Sequence, residues 1–327
     1  MKERIVWIDW AKAILIYLMV VGHCFPVAWE NQLIYAFHMP AFFIISGYLY
    51  HPHKWTKTLR SFLVPILFFS SVNFLIYTLP KLLKGSFSTV HLAERMLVPF
   101  WGPGSLQEDE YIYLFPGVWF IFALLFCRLF MGDLSWFSWV RKYKYCVLVS
   151  LLVFLVVEPF LFPDNPLRPY KFYRFIPSFP FVLLGYCLKN RMDLSRMSFP
   201  LVIVLMLLFV IISFWNGYTN ILNYEFGHSY IVFWANACIA SIVLYRLYYV
   251  LKDNSRVRFI STGTMLILAL NIKLKIFFNL LFVRMGLGTI VTDYYIYPWI
   301  LGLLIVIVCF WPIKWLLKYC PILLGKN

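Results

Sequence analysis

The chain is a succession of long apolar runs joined by short polar connections. Roughly 18 or more mostly apolar residues suffice for a spanning helix. About ten stretches meet that test, near 5–26, 33–50, 60–79, 112–131, 144–162, 174–189, 198–216, 229–251, 259–281 and 293–316. The pattern predicts an all-α integral membrane protein, a bundle of about ten transmembrane helices with almost nothing left for an aqueous domain. The ninth stretch is interrupted by Lys273 and Lys275, so a span ending near Asn271 with an interfacial continuation is expected there. The first has the basic start of a signal peptide. Asp9 and Lys12 break its apolar run and no small-residue cleavage site follows, so it reads as a retained span. No repeat, low-complexity tract or linker divides the chain, and residues 1–327 read as one transmembrane domain.

Composition agrees with the pattern: 62% of residues are hydrophobic and 13% charged, against about 25% charged in soluble domains. The formal charge of +15 would suit nucleic acid, but its distribution points elsewhere. With the N-terminus in the cytoplasm, the inner connections collect Lys2, Arg4, Lys54, Lys57, Arg60, Arg141, Lys142, Lys144, Lys189, Arg191 and Arg196, and further on Lys252, Arg256, Arg258, Lys314, Lys318 and Lys326. The outer ones hold about half as many, among them Lys81, Lys84, Arg95, Arg168 and Lys171. That bias predicts both termini in the cytoplasm and no nucleic-acid partner; the bilayer is the partner. Seven scattered cysteines show no C-x-x-C spacing and read as small buried residues. His51 and His53 in HPHKW have no further ligand nearby, so no metal is expected.

Candidate chemistry lies where polar residues interrupt the apolar runs, because ionisable groups at membrane depth cost a few kcal/mol each even on the lenient scale. The first run carries Asp9, Lys12 and His23. Lys12 and His23 are close to three helical turns apart, which returns them to one face about 16 Å apart along the axis. Asp9 is placed to pair with Lys12, either as a polar stripe or as a snorkelling pair at the interface. In the second run, FHMPAFFIISGYL, His38 starts near the same end as His23, and Pro40 removes one backbone donor beside it. Ser46 and Gly47 follow lower down, where small residues admit close helix approach or a passage. This run is expected to line something polar. Trp119 is either a site residue or an interface anchor. The acidic, aromatic connection 80–111 is either a solvated connector or a carbohydrate contact.

Several of these motifs together resemble the acyltransferase-3 family of integral membrane O-acyltransferases. Lys12, ten residues and then His23 match its first-span motif, and FHMPAFFIISGY matches its second. IDWAK followed by VVGH looks closest to the short members grouped with fucose 4-O-acetylases. PGVWFIFALLF, RFIPSFPFVLLGYCLKNR and the closing PILLGK are also similar to family segments. One departure stands out: where many members have a serine-rich span ending in histidine, this chain has STGTMLILALN, ending in Asn271.

The resemblance implies acyl transfer, usually of acetyl, from acetyl-CoA in the cytoplasm to a hydroxyl of a sugar or cell-surface glycan, at the plasma (inner) membrane. Capsule, O-antigen, a lipid-linked intermediate or a small sugar would each serve as acceptor. An alcohol needs a base to take its proton, and histidine is the usual base near neutral pH. His23 is the candidate base, with His38 orienting the acceptor or stabilising the oxyanion. Lys12 suits the phosphates of CoA, as would Arg174 or the inner-loop cations if the chain folds them inward. Asp9, Ser46 and Trp119 are expected against substrate. Acetyl could pass directly or through a covalent intermediate on His23. No G-x-S-x-G occurs, which argues against a serine-hydrolase route. The rival reading is a transporter or flippase for a glycan or glycolipid, since intramembrane Lys, Asp and His also mark transport pathways. No related halves are seen to support it. Nothing in the residues sets an oligomeric state.

Overall fold

The computed structural model describes residues 4–73, 75–76, 83–84, 117–168, 170–189, 191 and 193–325. Most of the connection 80–111 lies outside them. The described chain is almost entirely helical: α1 Val6–His23, α2 Ala28–Tyr48, α3 Trp55–Asn73, α4 Val118–Arg128, α5 Trp139–Lys142, α6 Lys144–Leu161, α7 Phe175–Leu188, α8 Phe199–Asn216, α9 Tyr230–Tyr249, α10 Ser255–Thr262, α11 Thr264–Arg284, α12 Gly288–Asp293, α13 Tyr297–Val308 and α14 Phe310–Tyr319. One two-stranded hairpin, β1 Thr219–Asn220 paired antiparallel with β2 Glu225–Phe226, interrupts them between α8 and α9. Among the described residues, six helices are long and apolar enough to cross a membrane. A seventh candidate is the pair 118–133 and 135–142, bent by 73°.

Helices α1 and α2 form the centre. α1 packs on α2, α9, α10, α11 and α13, while α2 also meets α7 and α8. The periphery is different in kind. α1 is 61% buried over its span and α8 only 22%, yet α8 is the more apolar of the two. Its outward residues include Ile203, Val204, Leu207 and Ile211. A helix apolar all round, with so much of it facing away from the protein, is matched to a hydrocarbon surround.

Two glycines set the tightest contact. A Cβ on Gly47 of α2 would land on the Val182 carbonyl of α7, and one on Gly185 of α7 would land on the Ile44 carbonyl of α2. Only residues without a side chain let the two backbones approach so closely. Pro40 does not end α2, which runs through it to Tyr48. The expected end of the ninth span near Asn271 is corrected. The chain breaks earlier, at Gly263, and α11 then continues through both lysines to Arg284. Lys273 donates to the Ala269 carbonyl and Lys275 to the His23 carbonyl, so each finds a partner inside the bundle.

Candidate functional site

Two cavities lie one above the other along α1. The larger, about 950 Å³, takes its walls from both hydrophobic clusters of the core and contains Asp9, Lys12 and Ser46. Arg4, Arg128, Lys189 and His51 also line it. The Asp9 carboxylate is gripped by Arg4 (2.5 and 3.0 Å) and by the Ser261 hydroxyl (2.6 Å), which ties the start of α1 to α10. Neither partner was expected from the sequence, where Lys12 was the one considered.

The segment 50–58, whose His51 lines this cavity, is organised by Asp133, whose carboxylate is fully buried. Gly132, at φ +106°, takes the left-handed turn that brings Asp133 back toward the chain after α2. There the carboxylate accepts from the Tyr50 hydroxyl (2.8 Å), the His53 amide (3.0 Å) and the Thr58 hydroxyl (2.5 Å). Arg128 lies 3.5 Å away and donates to the His51 carbonyl at 3.2 Å. Lys189 donates to the Tyr50 carbonyl at 2.6 Å and sits 3.2 Å from the His51 ring nitrogen. Several cations are thus held over one wide cavity, an arrangement suited to a polyanion.

The smaller cavity, about 50 Å³, contains both histidines. Trp119 and Tyr35 stand in its wall, with residues 220–222 of the hairpin. The proton positions follow from the hydrogen bonds. The Asn271 amide nitrogen donates to the Leu268 carbonyl at 2.6 Å, so its oxygen faces His23 Nδ1 at 2.7 Å. That oxygen can only accept, so Nδ1 carries the proton and neutral His23 has its lone pair on Nε2. His38 is fixed likewise: Nδ1 lies 2.7 Å from the Ile34 carbonyl, again an acceptor only. Its ring also meets that of Tyr35 edge-on, centroids 5.1 Å apart. Two imidazoles with their basic nitrogens unprotonated in the neutral form share one small chamber.

The hairpin reaches this chamber because Arg174 holds it there. Arg174 is buried and donates to the Leu222 carbonyl (2.6 Å) and the Arg168 carbonyl (2.5 Å). Its position corrects the expectation of a phosphate ligand beside Lys12. The residue belongs to the opposite end of the bundle, beside the histidine chamber, with two of its donors bound to backbone. A buried carboxylate, Glu158, reinforces this end by accepting from Arg168 and Asn165 at 2.8 and 2.7 Å. The bond to Glu158 holds the Arg168 guanidinium above its ordinary pKa. Burial, with Tyr173 and Glu158 nearby, pushes the Tyr224 phenol up.

The structure therefore brings His23, His38 and Trp119 to one chamber, and Asp9, Lys12 and Ser46 to the other cavity. Sequence reasoning missed Asn271, Asp133 and Arg128, and had Lys189 only as one of the inner-loop cations. The signal for Asn271 was present: a lone amide closing the apolar run MLILAL. Asp133 carried none, since MGD after an apolar helix reads as an ordinary exit turn. Among the described residues, no three His, Cys, Asp or Glu side chains gather as a metal set. All seven cysteines are free thiols.

Comparison with known proteins bears on this geometry. The acyltransferase-3 family profile, described as an acyltransferase domain, matches residues 5–318. No curated protein and no solved structure gives a match. With nearly the whole chain covered by that one profile, the chain belongs to the acyltransferase-3 family of membrane acyltransferases.

Proposed function

We propose that the protein transfers acetyl from cytoplasmic acetyl-CoA to a hydroxyl of a sugar or cell-surface glycan, from a bundle of about ten spans in the plasma membrane with both termini inside. The observation that carries this reading is the stacking of a wide, cation-lined cavity on a small chamber holding two oriented histidines. The donor's nucleotide fits the first, against Lys12, Arg128 and Lys189. The thin pantetheine arm extends along α1 toward the second, past Ser46.

In the chamber, His23 Nε2 takes the proton of the acceptor hydroxyl as its oxygen attacks the thioester carbonyl. That attack forms the C–O bond of a tetrahedral intermediate, whose collapse restores the carbonyl and breaks the C–S bond. The leaving thiolate recovers the proton from the imidazolium. Asn271 keeps Nδ1 protonated and the ring aimed, the role an orienting group plays for a histidine base. Neutral His38 presents an acceptor nitrogen, which suits it to orient the acceptor through a neighbouring hydroxyl, because the one proton of the reacting hydroxyl is directed at His23; donating to an oxyanion would require its protonated form. Trp119 and Tyr35 offer aromatic surface to a sugar ring. Family membership does not favour the transporter reading.

The test is acetyl transfer from radiolabelled acetyl-CoA in membranes carrying the wild type or His23→Ala at equal expression, with total cell-surface glycan as acceptor. Label on glycan that is lost in the variant supports the reading. Undiminished transfer by the variant removes His23 from the role of base.

A further inference from the structure

Four side chains line both cavities: Met19 of α1, Met39 of α2, Phe120 of α4 and Leu268 of α11. They form a partition one side chain thick between Lys12 and His23, contributed by four different helices. Met19, Met39 and Leu268 are buried, at 2%, 8% and 6% exposure. Leu268 lies against Gly117, where any Cβ would collide with its side chain. The chemical contrast with the surroundings is sharp. Charged groups and hydrogen-bonded imidazoles lie on either side, whereas the partition has no strong donor or acceptor of its own. Opening it breaks no side-chain hydrogen bond. Two of its four members are methionines, whose unbranched, polarisable chains repack readily.

We propose that Met19, Met39, Phe120 and Leu268 form the gate through which the acyl group enters the histidine chamber, and that this gate and chamber select acyl groups by size. The proposal rests on the acyltransferase reading above. The reacting carbonyl has to pass the partition while still bonded to sulfur, and the free thiol has to withdraw by the same path. A chamber of about 50 Å³ has room for roughly four water-sized groups at about 10–15 Å³ each. Acetyl fits. A butyryl chain, or a four-carbon diacid such as succinyl, fills it before the acceptor hydroxyl can enter. Shortening Leu268 enlarges the passage and the chamber together, because the residue stands in the wall of both.

The experiment compares acetyl-CoA with butyryl-CoA as donors, using membranes at matched expression and total cell-surface glycan as acceptor. Wild type is expected to favour acetyl by about tenfold or more, in line with discrimination by a small apolar pocket. Leu268→Ala should raise the butyryl-to-acetyl ratio by about tenfold, and Leu268→Val, a milder truncation, by an intermediate factor. The volume-conserving pair Met19→Leu with Met39→Leu should lower kcat for acetyl while leaving KM for acetyl-CoA unchanged, because it stiffens the gate without touching the nucleotide end. A ratio unmoved in both Leu268 variants, with acetyl transfer intact, overturns the gate. So does a wild type that uses butyryl-CoA as well as acetyl-CoA. Wild-type membranes that transfer no acyl group at all overturn the acyltransfer reading itself, and the gate with it.

Discussion

The two cavities along α1 are built on opposite plans. The one around Lys12 is about 950 Å³, and its cations are carried on long side chains from α1, α4 and the end of α7. The one around His23 is about 50 Å³, and its two imidazoles are each fixed by a 2.7 Å hydrogen bond. A large, flexible anion needs charge over a wide area and tolerates imprecise placement. Proton transfer does not: a ring turned the wrong way presents the wrong nitrogen. The difference teaches where substitutions should affect rate and where they should affect affinity.

The sharpest way to break this contrast is at the base. His23→Gln should lower acetyl transfer by about 10³-fold, within the range for loss of a positioned base, and a stopped-time transfer assay reads it directly. A residual loss of under tenfold would deny the chamber its catalytic role. Next comes its orienting partner. Asn271→Leu should lower kcat by roughly 10²-fold with KM for acetyl-CoA unchanged, since a mis-set tautomer impairs proton transfer and not donor binding. Asn271→Asp, which keeps an acceptor oxygen opposite Nδ1, should recover part of that loss. Equal defects in the two variants would make Asn271 a packing residue only.

At the wide cavity the expected signature reverses. Lys12→Gln should raise KM for acetyl-CoA by about 10- to 100-fold with kcat spared, from loss of one charge-assisted contact of about 1.5–3 kcal/mol. The effect should shrink in high salt. Smallest is the effect of the group that arranges part of this wall without lining the cavity. Asp133→Asn retains most of the hydrogen-bonding geometry but weakens the hold on the Tyr50–Thr58 segment, so KM for acetyl-CoA should rise by about threefold. Thermal unfolding in detergent should also move down, reflecting a cost of about 1–3 kcal/mol at a buried site. A change in kcat with KM unmoved would place Asp133 with the chamber and against this division.

The helical, membrane-embedded nature of the chain was legible because it depends on local apolar density alone. Lys12, His23 and His38 stood out for a related reason, being costly residues inside apolar runs. Arg174 was misjudged because sequence position does not reveal that its guanidinium is bound to the Leu222 and Arg168 carbonyls. Asp133 was invisible for the converse reason: its partners Tyr50, His53 and Thr58 lie 75 or more positions away in the chain. The bend after α4 and the uninterrupted run of α11 past two lysines were also outside its reach. Both depend on what neighbouring helices offer to backbone and side-chain groups.

By itself the sequence determined that this chain spans a membrane, where its costly polar residues fall, and that Lys12 and His23 share a face of one helix. Those are properties of composition and of the 3.6-residue period, which need no partner. Only the tertiary structure decided that the polar residues sort into two cavities, that Asn271 sets the protons of His23, and that four apolar side chains from four helices close the path between them. Such arrangements exist only once helices distant in sequence are packed together, because directional hydrogen bonds and shared cavity walls are relations between elements and not attributes of any one of them.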